Sequence, residues 1–270
     1  MENKPIDPKL LGRKSLKNLF AVGNRPSSEN FGALIDSCLN KVEDGIGKNN
    51  ENGLMLAPEG NDSEKLMSFY DSIQDPLPQW SLELEKENGS GLGIYEPISE
   101  SEQKNRLFFK KGGNIGINSM SPRTKLEVSG VLASESRIGT YKLATVPADG
   151  KWHDILSDLN GCVAFEVMAQ VGKEKKGKYA LLIAQALSTF GNSKNKISTT
   201  QAHYGWWWNK LNLRWRGSTY KYSLQLRTRS DYGSDEQIRF YITKLWDTEI
   251  MNLFDSALLS DSETSILNPE

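Results

Sequence analysis

Apolar and polar residues alternate along several segments in the second half of this 270-residue chain, with the two-residue period of a half-buried β-strand. The clearest segment is Cys162–Val171, and the same period returns at Tyr220–Leu226 and Ile238–Ile242. Tyr179–Leu187 is almost continuously apolar, which is typical of a strand covered on both faces. The pattern predicts a mainly β protein whose C-terminal part is an antiparallel β-sandwich of the jelly-roll type.

The composition predicts a globular protein. Hydrophobic residues make up 37% of the chain, which is enough for one large domain or two modest ones. The 33 Lys and Arg residues are balanced by 34 Asp and Glu residues, so no nucleic-acid partner is expected. No run approaches the ~20 apolar residues of a membrane-spanning helix. The polar segment Met1–Pro8 lacks the apolar core of a secretory signal, so we expect the chain to fold in the cytoplasm.

The sequence offers few residues for catalysis or metal binding. It lacks the phosphate loop, the nucleophile elbow, the zinc-binding histidine pair and the dinucleotide fingerprint. Cys38 and Cys162 lie far apart, which predicts two small buried residues and no disulfide framework. His153 lies near Asp149 and Asp154, but no second histidine or cysteine stands at ligand spacing. The chain is therefore predicted not to be an enzyme and to carry no metal and no cofactor.

The first hundred residues predict a small mixed α/β region. The apolar stripe within Phe31–Ile46 predicts a helix over Glu29–Glu43. Ser63–Ile73 fits a short helix or an irregular packed segment, and two prolines follow it. Trp80–Leu84 then alternates as a half-buried strand does.

Gly112–Gly130, called the seam below, stands between these differently patterned halves. Ile115 and Ile117 alternate with other residues before a turn signal, and Leu126 and Val128 do so after it, which predicts two short strands. So narrow a ribbon has too little apolar surface to fold alone, whereas three copies wound about an axis would bury it. These four apolar residues are therefore the predicted oligomerisation residues of a homotrimer.

The main candidate binding site is a run of three adjacent tryptophans: Trp206, Trp207 and Trp208. Consecutive indoles in a strand point alternately to its two faces, so at least one should point away from the core. Such an indole can stack on a sugar ring while guanidinium groups bind the sugar hydroxyls. The same residue types are enriched in subunit interfaces, so packing against another copy is the other interpretation. Three further candidates lie nearby in sequence: Tyr204, Arg214 and Arg216.

The seam resembles a repeat of phage tail fibres with the approximate form G-N-V-G-I-G-T-x-x-P-x-x-K-L-x-V-x-G. In this chain Asn118 occupies the position of the third glycine. The likeness extends to other parts of the chain: Phe31–Ile46, Trp80–Leu84, Gly139–Tyr141 and Val146–Asp154. Together these segments resemble fibre-like and adhesin-like proteins of phage tails and of extracellular contractile injection systems of Bacteroidetes-type bacteria.

The resemblance implies a non-catalytic oligomer that is attached to the baseplate or outer surface of a particle. A protein of this kind folds in the cytoplasm and reaches the outside within the particle when the cell lyses. Its expected partners are itself, baseplate or other particle proteins, and a cell-surface glycan.

These observations divide the chain into four expected parts. Residues 1–105 form a docking region, 106–140 a β-ribbon connector, 141–248 the sandwich, and 249–270 a short helix with a mobile tail. The leading functional hypothesis is a structural or receptor-facing component of a contractile phage-tail-like injection particle. The alternative is a free carbohydrate-binding module, or lectin, that uses the tryptophans. The third is a cargo or effector protein.

Overall fold

The computed structural model describes residues 11–40, 44–58, 64–86, 90–173, 175, 177–233 and 235–255 of the chain. β-Strand is the predominant secondary structure among them, as the alternation predicted. The chain divides into two compact units, Met1–Leu132 and Ala133–Glu270. Residues 248–255 are helical, and the rest of the predicted tail lies outside the described residues.

The described part of the N-terminal unit begins with two short helices, α1 (Arg13–Leu19) and α2 (Ser28–Asp36). Ser27 caps α2, because its hydroxyl accepts a hydrogen bond from the Asn30 amide. The helix ends at Asp36, so the predicted extension to Glu43 is wrong over the described residues up to 40. Ser37 ends it, since both its amide and its hydroxyl donate to the Ala33 carbonyl.

Eight strands follow the helices among the residues of this unit that the structure describes. A separate hairpin is formed by β1 (Ile46–Asn49) and β2 (Gly53–Leu56). The other six form one sheet in sequence order, in which all neighbours are antiparallel except the last pair. These six strands are β3 (Lys65–Phe69), β4 (Trp80–Glu85), β5 (Gly91–Pro97), β6 (Gln103–Lys110), β7 (Asn114–Ile117) and β8 (Leu126–Val128).

Strand β3 replaces the helix or irregular segment that was predicted within Ser63–Ile73. It pairs with β4, where Phe69 lies opposite Trp80 and Met67 opposite Leu82. Pairing with the next strand along the chain outweighs the local preference of a five-residue segment, because strand propensity depends strongly on cross-strand contacts.

The seam forms the last two strands of the six-stranded sheet. β7 pairs antiparallel with β6 and parallel with β8, so the chain crosses over between the two seam strands. This crossover is tight: a Cβ atom added to Gly116 would lie 1.9 Å from the Ser119 carbonyl oxygen. Asn118 has a φ of +54°, in the left-handed region that glycine favours and asparagine tolerates. The departure from the fibre repeat at Asn118 therefore preserves the backbone conformation that a glycine would adopt.

We expect Asn118→Ala to destabilise the N-terminal unit by about 1 kcal/mol, whereas Asn118→Gly should change its stability by less than about 0.5 kcal/mol. Alanine lacks the short polar side chain that makes a positive φ tolerable, and glycine has no Cβ to strain. Urea denaturation of the two variants beside the wild type measures the difference. Equal stabilities of the alanine and glycine variants would show that the seam does not need this conformation.

The described residues of the C-terminal unit contain eight strands in two sheets. A five-stranded sheet has the order β13-β12-β11-β16-β9, and a three-stranded sheet has the order β10-β15-β14. The strands are β9 (Lys142–Pro147), β10 (His153–Leu159), β11 (Cys162–Lys173), β12 (Lys178–Thr189), β13 (Lys196–Tyr204), β14 (Leu211–Ser218), β15 (Lys221–Thr228) and β16 (Gln237–Trp246). Pairing between hydrogen-bonded neighbours is antiparallel throughout these strands.

One hydrophobic core lies between the two sheets. Alternate residues of both sheets enter it, including Phe165 from β11, Leu182 from β12 and Leu224 from β15. This arrangement confirms a sandwich-like β fold for the C-terminal unit. Three consecutive strands, β11, β12 and β13, are neighbours in one sheet, and the jelly-roll arrangement stays a prediction.

Two predictions of burial are wrong for the single chain. Strand β12 buries only one face: Leu182 is fully buried, whereas its neighbour Leu181 is 47% exposed. The reason is that the three-stranded sheet covers one side of β12, and no described element covers the other. Cys38 and Cys162 are both exposed, because each lies at the end of an element and outside the core.

Candidate binding surfaces

The six-stranded sheet of the N-terminal unit has one face that is rich in large apolar residues, called the apolar face below, with Glu96 and Lys104 at one end of β5 and β6. The register of the strands places these residues opposite one another from β3 to β8. The predicted seam residues form one end of this face. Its members are Met67, Phe69, Trp80, Leu82, Leu84, Leu92, Ile94, Leu107, Phe109, Ile115, Ile117, Leu126 and Val128.

The apolar face is open to solvent in the single chain. Trp80 is 43% exposed and Leu126 is 56% exposed, and Phe69, Phe109 and Ile117 are similarly uncovered. An aromatic side chain buries about 200 Å² when it is fully covered, so the three rings alone leave on the order of 250 Å² exposed. An open apolar patch of this extent usually marks an interaction site.

The opposite face of the same sheet is the buried one, although it carries polar groups. Phe108 and Tyr95 are buried there, and the ring of Phe108 packs over Gly91. Glu83 is also buried, and its two carboxylate oxygens accept hydrogen bonds from Ser81 at 2.7 Å and from Gln103 at 2.9 Å. The Glu83 carboxylate is thus satisfied within the chain, whereas the Oδ1 atom of Asn105 on the same face is buried without a partner among the described residues. The sheet therefore buries its polar face and exposes its apolar one, which is the reverse of what a monomer requires.

The three tryptophans lie in the turn between β13 and β14, so their prediction as strand residues is wrong. Trp206 and Trp208 stack in parallel with ring centroids 4.9 Å apart, and Trp207 meets Trp208 edge-to-face at 5.8 Å. Alternation does not apply in a turn, and all three indoles are exposed. The Arg229 guanidinium lies 4.1 Å from the centre of the Trp207 ring. The result is a compact aromatic cluster at the surface.

This cluster, with Tyr204, belongs to one end of the sandwich, called the loop end below. Four connections meet there: those between β9 and β10, β11 and β12, β13 and β14, and β15 and β16. The Lys178 ammonium donates to the Asp231 carbonyl at 3.0 Å, and the Tyr232 amide donates to the Ala148 carbonyl at 2.9 Å. Tyr204 packs edge-to-face on Tyr179. Loops that cluster at one end of a sandwich are a frequent position for binding residues.

Arg214 and Arg216 lie away from the tryptophan cluster, on the outer face of the three-stranded sheet. Arg214 donates to the Gln225 amide oxygen at 2.8 Å, and Gln225 donates to Asp154 at 2.8 Å, so a polar chain crosses all three strands. The Arg214 guanidinium also lies 4.2 Å from the centre of the Trp152 ring. The pKa of Arg214 is lowered, first by partial burial and then by the positive charges of its neighbours.

Arg216 also reaches the open edge between the two sheets. It lines a pocket of about 380 Å³ together with Trp215, Asn192 and Asn195, near the β12–β13 turn. The candidate residues predicted from sequence are thus divided between two places. Tyr204 and the tryptophans share the loop end, whereas the two arginines share the outer face of the three-stranded sheet.

His153 forms a pair with Asp149 and does not build a metal site. Its Nε2 atom lies 2.8 Å from an Asp149 carboxylate oxygen. This contact, and then a hydrogen bond from the Lys151 amide, lower the pKa of the Asp149 carboxyl. Across the described residues no group of three or more histidine, cysteine or acidic side chains is arranged to hold a metal ion. None of the helices in the described part of the chain has the length and hydropathy that crossing a bilayer requires.

The chain matches no protein-family model and no curated protein sequence. The likeness of the seam to fibre repeats therefore remains a resemblance of motifs.

Sequence reasoning missed three residues that take part in these surfaces. Trp152 and Arg227 join Arg214 on the outer face of the three-stranded sheet, and Arg229 joins the tryptophan cluster. Arg227 lies in β15 and Arg229 directly follows it, and both alternate with the buried positions of that strand. The pattern therefore indicates that their side chains point outward, but not which residues they contact. Trp152 lies in a turn signal, where periodicity carries no information about direction.

Proposed function

We propose that this protein is a non-catalytic structural or receptor-facing component of a contractile phage-tail-like particle, in which it works as an oligomer. The observation that carries the proposal is the open apolar face of the N-terminal unit. A surface that joins thirteen apolar residues across six strands is stable in water only when another surface covers it. The resemblance of the seam to fibre repeats supports the particle context.

Another copy of the chain is the occupant that we favour for the apolar face. The apolar part of the face is continuous from β3 to β8, and the charged residues Glu96 and Lys104 lie at one end of it, as at the polar rim of an interface between identical subunits. Three copies about an axis would bring the seam strands together and bury them from all sides. Attachment to the baseplate and a jelly-roll arrangement of the C-terminal unit belong to the same proposal.

Sedimentation velocity of the full chain tests the proposal. We expect one species with about three times the mass of the 30.3 kDa chain at micromolar concentration, because an exposed apolar surface of this size favours association. A stable monomer at that concentration would refute the oligomer. Pull-down of sheath, tube or baseplate proteins with the purified oligomer would then test the particle context separately.

A lectin is the second candidate function, and the tryptophan cluster is the observation that favours it. Exposed indoles beside Arg229 offer stacking surfaces and hydrogen-bond donors to a sugar. If this function is correct, Trp207→Ala should weaken glycan binding by about tenfold or more, because a stacked ring contributes about 1–3 kcal/mol. A glycan array of the wild type and the variant measures the effect. Trp246→Ala, at the end of β16, is the matched control and should retain binding.

A further inference from the structure

We infer that the outer face of the three-stranded sheet binds an acidic glycan through a cluster of guanidinium groups, called the arginine face below. It consists of Arg214, Arg216 and Arg227, with Trp152 beside them. This inference deepens the receptor-facing part of the proposed function and assigns the site to a surface other than the tryptophan cluster.

The first support is the geometry of the guanidinium groups. Those of Arg214 and Arg227 lie over the ring of Trp152, with their central carbons 4.2 Å and 4.3 Å from its centre. Stacking on an indole holds a guanidinium plane in a fixed orientation and leaves its N–H groups free to bind an anion at the edge. The ring therefore positions two cations that would otherwise repel each other.

The second support is the surplus of positive charge. Arg216 and Arg227 form no ion pair within the part of the chain that the structure describes, and their charges help to lower the pKa of Arg214. Asp154 lies on the same face, but Gln225 donates to one of its oxygens, and the one carboxylate cannot neutralise three cations. A bound anion would relieve this repulsion, in a chain whose formal net charge is only −1.

The third support is the set of hydrogen-bonding groups on this face. Around the arginines the same face presents neutral polar side chains, Asn212, Ser223 and Gln225, at successive outward positions. Guanidinium forks match carboxylate and sulfate oxygens, and neutral amides and hydroxyls match sugar hydroxyls.

A carboxylated or sulfated polysaccharide carries both acidic groups that the guanidinium forks can bind and hydroxyls that the neutral side chains can bind. A nucleic acid fits less well, since the charge surplus is confined to three residues on one short sheet and does not follow a phosphate backbone. We therefore assign an acidic glycan as the ligand class.

The test is binding of the full-length chain to defined probes by isothermal titration calorimetry. The probes are a galacturonate oligosaccharide, a heparin-derived oligosaccharide, a neutral dextran oligosaccharide, a DNA oligonucleotide and inorganic phosphate. We expect at least one of the two acidic oligosaccharides to bind and the dextran not to bind. Arg227→Gln should weaken this binding by about 10- to 100-fold, the effect of losing a hydrogen bond between charged groups. Arg227→Lys should recover part of it.

Arg239→Gln is the matched control, because Arg239 lies exposed on the outer face of the other sheet of the same unit. Equal losses in both glutamine variants would show unspecific attraction by charge and overturn the inference. DNA or phosphate binding as tight as that of the acidic oligosaccharides would overturn the glycan assignment, and so would the absence of any binding. Circular dichroism establishes that the variants are folded. If the chain is an oligomer but binds no acidic glycan, this inference alone is refuted. If the chain is a monomer that binds the glycan, only the proposed oligomer is refuted.

Discussion

The double variant Ile117→Asp/Leu126→Asp is expected to sediment as a monomer at concentrations where we expect the wild-type chain to be an oligomer. Both side chains lie on the apolar face and are exposed in the single chain, at 37% and 56%. Carboxylates at these positions remain hydrated in the monomer, whereas burying them unpaired in a subunit interface costs several kcal/mol. We expect the dissociation constant to rise by at least about 100-fold.

A matched control places the same charge elsewhere on the N-terminal unit. Ser99→Asp/Ser101→Asp adds two carboxylates in the exposed turn between β5 and β6, away from the apolar face. This variant should remain oligomeric, and circular dichroism should show both variants folded. If the apolar-face variant keeps the wild-type mass, the apolar face is not the interface between the copies.

Leu182→Ala is expected to destabilise the C-terminal unit by about 2–5 kcal/mol, and Leu181→Ala by less than about 1 kcal/mol. The two leucines are neighbours on β12 and lose the same atoms. Leu182 is fully buried between the sheets, so its truncation leaves a cavity, whereas Leu181 points to the open outer face. Because domains of this size have stabilities of about 5–15 kcal/mol, the first loss is a large part of the total.

Denaturation in urea, followed by tryptophan fluorescence, measures both free energies of unfolding. The result also reports on the outer face of the five-stranded sheet. An apolar pocket of about 420 Å³ lies there, lined by Leu181, Met168, Leu143 and Tyr241. If Leu181→Ala costs as much as Leu182→Ala in the oligomer, the outer face is covered by a partner and β12 is buried on both sides in the assembly. If the two costs are equal in a monomer, the description of the core is wrong.

The two units present different kinds of surface. The N-terminal unit has a wide apolar face, which suits permanent contact with an identical subunit. The C-terminal unit has an aromatic cluster at its loop end and an arginine face on its smaller sheet, which suit reversible contact with a polar ligand. The proposed assembly and the proposed ligand binding can therefore be tested by separate substitutions.

The strands of the C-terminal unit follow from the sequence because alternation is a local property. Val163, Phe165 and Val167 share one side of β11 wherever that strand lies, and all three are buried. Asn118 is a second local case: asparagine is a residue type that tolerates a positive φ, so it can replace the glycine of the fibre repeat. The short strands of the seam were predictable for the same reason.

Tertiary structure alone decided which of these faces stay open. Leu181 and Leu182 are identical in type, and only the position of the second sheet leaves one exposed and the other buried. Likewise the seam residues alone suggested a narrow strip, whereas strand register aligns them with the apolar residues of the four preceding strands, from Met67 to Phe109.

The binding residues divide in the same way. The run of tryptophans marks a surface feature in the sequence itself, but its place in a turn beside Arg229 depends on how β13 and β14 leave their separate sheets. Trp152 meets Arg214 and Arg227 only because β10 and β14 lie on either side of β15. Periodicity determines the direction of a side chain within its own strand, whereas its neighbours depend on pairing between segments distant in the chain.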